Sequence, residues 1–213
     1  MDPLHFCVAV VPLAVYLLMI GYLNLRRTPF VTTGSRDIAA LAIAIVGFII
    51  AGPMELFFPE SAASQFGPLV WAMLLGFYAL AVSLIVLLMR TRIVVYNVTA
   101  EQLRPILFSV ATKSDSRSRW VGNSLLMPQR DVHLHLEPVQ WLRNVQLTAV
   151  GNQQSDEGWR VLERELSAAL KEIRIGPNLL AIPLILASAA MAVMATWWML
   201  TDQAAVAEAF EQM

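Results

Sequence analysis

The sequence predicts an α-helical integral membrane protein of four transmembrane helices. A small α+β domain, a mostly antiparallel sheet packed by two helices, is inserted between helices three and four. Three observations predict it. Four long apolar runs occupy residues 4–23, 38–54, 69–89 and 179–200. The Lys and Arg residues all fall on one side of those runs. The stretch 90–177 carries strand and helix periodicities of a folded domain. Composition agrees: 57% of residues are hydrophobic and 15% charged, against roughly 45–50% and about 25% in soluble domains. Mean hydropathy is +0.60.

A helix needs roughly 20 residues to cross about 30 Å of hydrocarbon. The runs at 4–23, 38–54 and 69–89 meet that within a membrane domain of residues 1–89, the second extended by Phe57 and Phe58. No charge sits in the middle of any run. Backbone groups in hydrocarbon must satisfy one another, so each run is expected to be helical. The first is not a cleaved signal peptide, because Met1-Asp2-Pro3-Leu4-His5 has no Lys or Arg and the run is long. Pro12 and Pro183 are expected to bend spans one and four, and Gly52-Pro53 to kink or end span two. Pro68 suits the first turn of span three. Asn178 caps the fourth span, taken as 178–200.

Orientation follows from the loops. Arg26, Arg27 and Arg36 lie in the first loop, and Arg90, Arg92, Lys171 and Arg174 flank the domain. The opposite side carries Asp2, Glu55, Glu60, Asp202, Glu208 and Glu211. The positive-inside rule puts the basic side in the cytosol, with both termini extracytoplasmic. Trp71, Trp197 and Trp198 then fall at the outer interface. The absence of eukaryotic targeting signals points to a bacterial inner membrane. The tail 201–213 has Val206, Phe210 and Met213 at helical spacing, which suits a short amphipathic helix or a frayed end.

Small residues let helices approach closely in a bilayer. Ala40, Ala44, Gly47 and Ala51 form such a stripe on span two; Gly76, Ala79 and Ser83 lie on span three; Ser188, Ala192 and Ala195 lie on span four. The packing set is therefore Ala40, Ala44, Gly47, Ala51, Gly76, Ser188 and Ala192. Intramembrane polar groups are the hydroxyls of Tyr16, Tyr78, Ser83, Ser188 and Thr196. With no Asp, Glu, Lys, Arg or His inside a span, a pump or proton-coupled carrier is disfavoured.

Within the cytosolic domain, residues 92–98 read as an apolar β-branched strand. Thr99 offers a helix cap with Gln102 three residues on, a capping box. The helix runs to about Lys113 with Leu103, Leu107 and Val110 inward, Pro105 forcing a later start or a kink. Strands follow near 119–127, 131–137 and 143–150. In the middle one Val132, Leu134 and Leu136 alternate with Asp131, His133, His135 and Glu137. A last helix, about 157–174, aligns Trp159, Leu162, Leu166, Ala169 and Ile173. Gly176-Pro177 stops it. A ferredoxin-like split fold without its final strand is the nearest analogy.

Two chemistries are candidates. His133, His135 and Glu137 share a strand face, with Asp131 beside them, and His-x-His serves some zinc sites; the bland alternative is a wet strand face. Arg26, Arg27, Arg90, Arg92, Arg117 and Arg119 are candidates for lipid headgroups or phosphate, as are Lys113, Arg130 and Arg143. Residues 90–177 hold an excess of three basic over acidic residues, which the positive-inside rule already accounts for. There is no Gly-rich phosphate loop, Gly-x-Ser-x-Gly, His-Glu-x-x-His or Cys-x-x-Cys pattern. Cys7 is the lone cysteine and forms no internal disulfide. Asn97-Val98-Thr99 matches a glycosylation acceptor on the wrong side of the membrane.

The reading that follows is a non-enzymatic multi-pass inner-membrane protein, a scaffold or regulatory subunit with a cytosolic interaction domain. It needs no cofactor, contacts membrane lipid and a protein partner or further copies of itself, and does not bind nucleic acid. One alternative is a homo-oligomeric channel or transporter with Ser83, Ser188 or Thr196 facing a lumen. The other is a membrane-bound metal-dependent enzyme using the Asp131–Glu137 strand face.

Overall fold

The structure is a computed structural model describing residues 3–54, 64–139, 143–152 and 154–201. Asp2, Glu55, Phe57, Phe58, Glu60 and the tail 202–213 lie outside the described residues. Four helices are long and apolar enough to cross a membrane: Leu4–Leu25, Gly34–Met54, Leu69–Leu88 and Ala181–Thr201. The chain divides into a helical unit (Met1–Met19, Ile38–Met89, Pro183–Met213) and a sheet unit (Ile20–Asp37, Arg90–Ile182).

In the helical unit, α1 (Pro3–Leu25), α2 (Gly34–Ile49), α3 (Leu69–Leu88) and α6 (Ala181–Thr201) supply the long helices. Helix α2 passes into a π-helical turn, Ile50–Met54, around Pro53, so Gly52-Pro53 ends the regular helix as expected. Pro12 lies inside α1. A proline has no N–H, so the carbonyl four residues earlier, that of Val8, has no helical donor. Gly47 of α2 approaches that carbonyl so closely that an added Cβ would meet Val8 C at 2.8 Å and Ala9 Cα at 2.9 Å. A glycine Cα–H is therefore the group that faces the freed oxygen, a weak contact of a kind common between packed helices. Ala9, Val10 and Ala51 are buried together, with Phe6 and Met191 packed against them. Ser188 on α6 donates to the Ala14 carbonyl of α1 at 2.7 Å, and Phe6 meets Trp198 at 5.0 Å between ring centroids. Tyr78 ties α3 to α2 by donating to the Ala42 carbonyl at 2.8 Å. Pro183 is the third residue of α6. An N–H there would have no partner within the helix, so the expected bend has no cause.

The sheet unit is a six-stranded antiparallel sheet of order β1-β2-β6-β5-β4-β3. Its strands are β1 (Phe30–Thr33), β2 (Arg92–Tyr96), β3 (Arg119–Val121), β4 (Ser124–Met127), β5 (Val132–Val139) and β6 (Asn144–Ala149). Helix α4 (Ala100–Ser114) connects β2 to β3 and helix α5 (Asp156–Lys171) follows β6. The alternation in β5 does what its period requires: Val132, Leu134 and Leu136 are buried. Register places Leu134 beside Leu125 and Ala149, and Leu147 beside Leu136 and Ile93. Leu103 and Leu107 of α4 and Trp159, Leu162, Leu166 and Leu170 of α5 complete one core on that face. Ala169 and Ile173, expected on the same stripe, pack at its margin.

The capping box holds: Thr99 accepts from the Gln102 N–H at 3.4 Å, and the Gln102 side chain accepts from the Thr99 N–H at 3.2 Å. The helix starts there and runs through Pro105, so the later start is overturned. Proline in the second turn leaves one carbonyl, that of Glu101, without a helical donor.

Three further features correct the sequence reading. The stretch 119–127 is not one strand but a hairpin, β3 and β4, whose two-residue turn puts Gly122 at φ +63. Positive φ at the first turn position suits a tight hairpin and favours glycine. The loop after α1 contributes β1 as an edge strand. The compact unit around 90–177 therefore also takes in Ile20–Asp37, because β1 pairs along β2 from Phe30↔Tyr96 to Thr33↔Ile93. The six-stranded sheet thus has two strands more than the four of the ferredoxin-like analogy.

Candidate functional site

The sheet face opposite the core carries the metal candidates; it is covered at β2, where Val94 and Tyr96 are buried, and open at β5, where Glu137 is exposed. Asp131 is not on it, since that residue stands in the turn before β5 with φ +49. His133, His135 and Glu137 do share one face, at successive alternate positions. Alternate residues on a strand lie roughly 6–7 Å apart, too far for the three to share a metal without help from neighbouring strands. Those strands place Leu126 opposite His133, Ser124 and Thr148 beside His135, and Gln146 beside Glu137. His135 Nδ1 instead shares a 3.0 Å hydrogen bond with Ser124 Oγ. The His133 backbone is engaged by Gln154, whose Nε2 donates to its carbonyl at 3.0 Å. The described residues include no group of three or more His, Cys, Asp or Glu placed to hold a metal ion. What the face offers is a polar surface, with a groove of about 520 Å³ at one end lined by Leu126, Met127, Asp131 and His133.

The six arginines proposed for phosphate or headgroups do not converge. Arg26 and Arg27 follow α1, Arg90 precedes β2 and Arg92 opens it, and at the opposite edge of the sheet Arg117 precedes β3 and Arg119 opens it. Arg92 has a defined seat. Its side chain lies over Gly34, where an added Cβ would come within 2.9 Å of Cδ, and its Nη1 reaches Gln146 Oε1 at 3.4 Å. Arg26 instead stacks its guanidinium 5.8 Å from the Tyr22 ring centroid.

The packing residues divide. Ala44, Gly47, Ala51 and Ser188 are buried and Ala40 half-buried. Gly76 and Ala192 are exposed, and nothing lies within 4 Å of a Cβ built on Gly76. On α6 it is Ala195, one turn along, that is buried. The hydroxyls proposed for a lumen are otherwise occupied. Ser83 and Thr196 donate to the carbonyls of Ala79 and Ala192 in their own helices, and Ser188 donates to α1.

Sequence reasoning missed a knot of asparagines in the sheet unit. Asn97 is fully buried at φ +56, and its Nδ2 donates to the Arg26 carbonyl at 2.6 Å. Its backbone N–H donates to Asn144 Oδ1 at 3.3 Å. The Asn178 N–H donates to the Asn24 carbonyl at 3.0 Å, and the Ile175 N–H to the Arg27 carbonyl at 2.7 Å. These bonds tie the end of α1, the end of β2 and the approach to α6 to one another. Asparagine suits the task because its amide can supply a donor, as at Asn97, or an acceptor, as at Asn144, and because it tolerates left-handed backbone. The signal available was four asparagines flanking the predicted elements, a pattern that also fits plain turns. At the start of α2, Thr33 Oγ1 accepts from the Arg36 N–H at 3.4 Å, Asp37 accepts from the Tyr96 hydroxyl, and Arg36 pairs with Glu163 at 3.1 Å.

A family model described as "Predicted membrane protein (DUF2231)" matches residues 3–125, more than half of the chain. The match covers α1 to β3 and ends inside β4. No curated protein and no solved structure matches the chain.

Proposed function

The chain belongs to the DUF2231 family of predicted membrane proteins, and on that premise we propose that it is a scaffold or regulatory subunit of a membrane complex. In this reading α3 is the docking element and the sheet unit is a cytosolic interaction domain in a bacterial inner membrane. One observation carries it: α3 is left almost bare. Of its residues only Val70 is buried, while Met73, Phe77, Leu80, Leu84, Leu87 and Leu88 are all more than half exposed. Ala72, Gly76, Ala79 and Ser83 form an exposed small-residue stripe along it. Lipid tails make no use of such a stripe, whereas the backbone of another helix does. The occupant proposed is a transmembrane helix of a different subunit. The basic residues flanking the domain, Arg90, Arg92, Lys171 and Arg174, support the cytosolic placement.

The test is native mass spectrometry of the tagged full-length protein, released gently from its own membrane. A companion at fixed stoichiometry that is lost with Gly76→Leu is the expected result. A closed homo-oligomer without companions would transfer the reading to a pore. A monomer carrying only lipid would overturn both.

A further inference from the structure

Helix α5 turns Trp159, Leu162, Leu166 and Leu170 into the core. The side opposite is basic. Arg160, Arg164 and Lys171 stand within about 40° of one another around the helix and span about 16 Å along it. With Glu163, Ser167 and Ala168 they line an open groove of about 440 Å³. Glu163, the acid in that lining, is taken up by Arg36 at 3.1 Å. Among the described residues no carboxylate pairs with Arg160, Arg164 or Lys171. Asp156 and Glu157 are confined to the first turn, where the helix dipole favours them. Glu165 and Glu172 lie about 100° or more round from the stripe's centre.

Through Glu163 the groove is tied to Arg36, at the start of a membrane-length helix. Arg36 is the third residue of that helix, Gly34–Met54, so it marks the level at which an apolar helix gives way to polar groups. We infer that the groove on α5 binds the phosphodiester headgroups of anionic phospholipid, with Arg160, Arg164 and Lys171 as the cations that hold them. The layout favours a lipid surface over a free phosphate. A single phosphate is best held by donors converging on one point, whereas these cations are strung along a helix, as a row of headgroups would require.

The experiment uses the full chain in lipid nanodiscs, with Ser167→Cys as a reporter in a Cys7→Ala background and a water-soluble maleimide as label. Ser116→Cys, in the loop after α4, serves as the control site. Labelling at residue 167 is expected to be about five-fold slower in phosphatidylglycerol mixtures than in phosphatidylcholine alone, the factor that one cation near an anionic surface contributes. High salt should remove the difference, as should Arg160→Gln/Arg164→Gln/Lys171→Gln, with the control rate unchanged throughout. If the triple variant does not fold, Arg164→Gln and the salt arm carry the same comparison. Equal rates in both lipids, protection that survives the triple variant, or equal protection by inorganic phosphate in phosphatidylcholine would each overturn the assignment, the last by making the groove a free-phosphate site.

Discussion

Gly47 and Gly76 look alike in the sequence and the structure separates them, which makes a paired substitution decisive. In Gly47→Ala the new methyl would stand 2.8 Å from Val8 C and 2.9 Å from Ala9 Cα, and nearer still to the Val8 oxygen. Ordinary carbon contacts begin near 3.4 Å, so α1 and α2 must part by at least about 0.6 Å, and the atoms in the way are backbone that no rotamer change can move. A gap of 0.5–1 Å forfeits roughly a quarter to a half of a dispersion well. Overpacking of this kind costs about 1–3 kcal/mol. It also removes the Cα–H that faces the carbonyl freed by Pro12, a further ~0.5–1 kcal/mol. Set against a gain of up to about 1 kcal/mol in helix propensity, these costs lead us to expect Gly47→Ala to destabilise the protein by about 1–3 kcal/mol. Gly76→Ala, with open space around it, should be neutral or stabilising by up to about 1 kcal/mol from helix propensity. The assay is unfolding of the full-length protein in mixed micelles titrated with a denaturing detergent, followed by far-ultraviolet circular dichroism. Wild-type stability in Gly47→Ala, or equal losses in the two variants, would refute the close approach of α1 and α2.

Other substitutions test the sheet unit. Asn97→Gly keeps the left-handed backbone and loses the amide bond to Arg26, about 1–3 kcal/mol; Asn97→Ala adds the αL penalty, about 1–2 kcal/mol more, so the order of melting temperatures should be wild type, Gly, Ala. Asp115 is buried and accepts from the backbone N–H groups of Arg117 and Gln129 at 2.8 and 2.7 Å; Asp115→Ala should cost roughly 1–3 kcal/mol, read by chemical denaturation, and a loss under half a kcal/mol would contradict its role. Thr99→Ala should cost about 0.5–2 kcal/mol through the lost cap, visible as faster amide exchange in the first turn of α4. Dialysis against a chelator should leave the melting temperature of wild type and of His133→Ala/His135→Ala unchanged; a drop in wild type alone would restore the metal reading.

The long elements were legible because their signals are redundant. Each span is some twenty apolar residues, and the β5 alternation repeats over three pairs, so one odd residue does not hide either pattern. The helix α4 start was legible because Thr99 and Gln102 satisfy each other locally. What escaped was short or non-local. Strand β1 is four residues, Phe-Val-Thr-Thr, too few to show a period, and its partner is remote in sequence. The Gly122-Asn123 hairpin signal was present but lay inside an apolar stretch that read as continuous. Helix α2 begins at Gly34 rather than 38 because Gly-Ser-Arg-Asp is polar and carries no hydropathy, while Thr33 caps it. In the candidate site, placing His133, His135 and Glu137 on one face followed from period two. Whether a neighbouring strand supplied a further ligand depended on register, which brought Ser124, Leu126, Gln146 and Thr148 there instead. The basic groove of α5 was hidden because its stripe interleaves with five acids in linear order and separates from most of them only when wound into a helix.

The edge position of β1 has a consequence in time. This strand is synthesised about sixty residues before β2 and over a hundred before β6, the strand that joins β2 to the rest of the sheet; at roughly 5–20 residues per second, β1 waits several seconds for the first and longer for the second. Two apolar helices must leave the ribosome in that interval. Closure of the sheet is therefore a late event, set by the length of chain between strands rather than by their own pairing rate. Until β2 follows, the Phe30–Thr33 segment stands unpaired, and a pause or truncation before residue 96 leaves it in that state; one between 96 and 149 leaves β1 and β2 without the rest of the sheet.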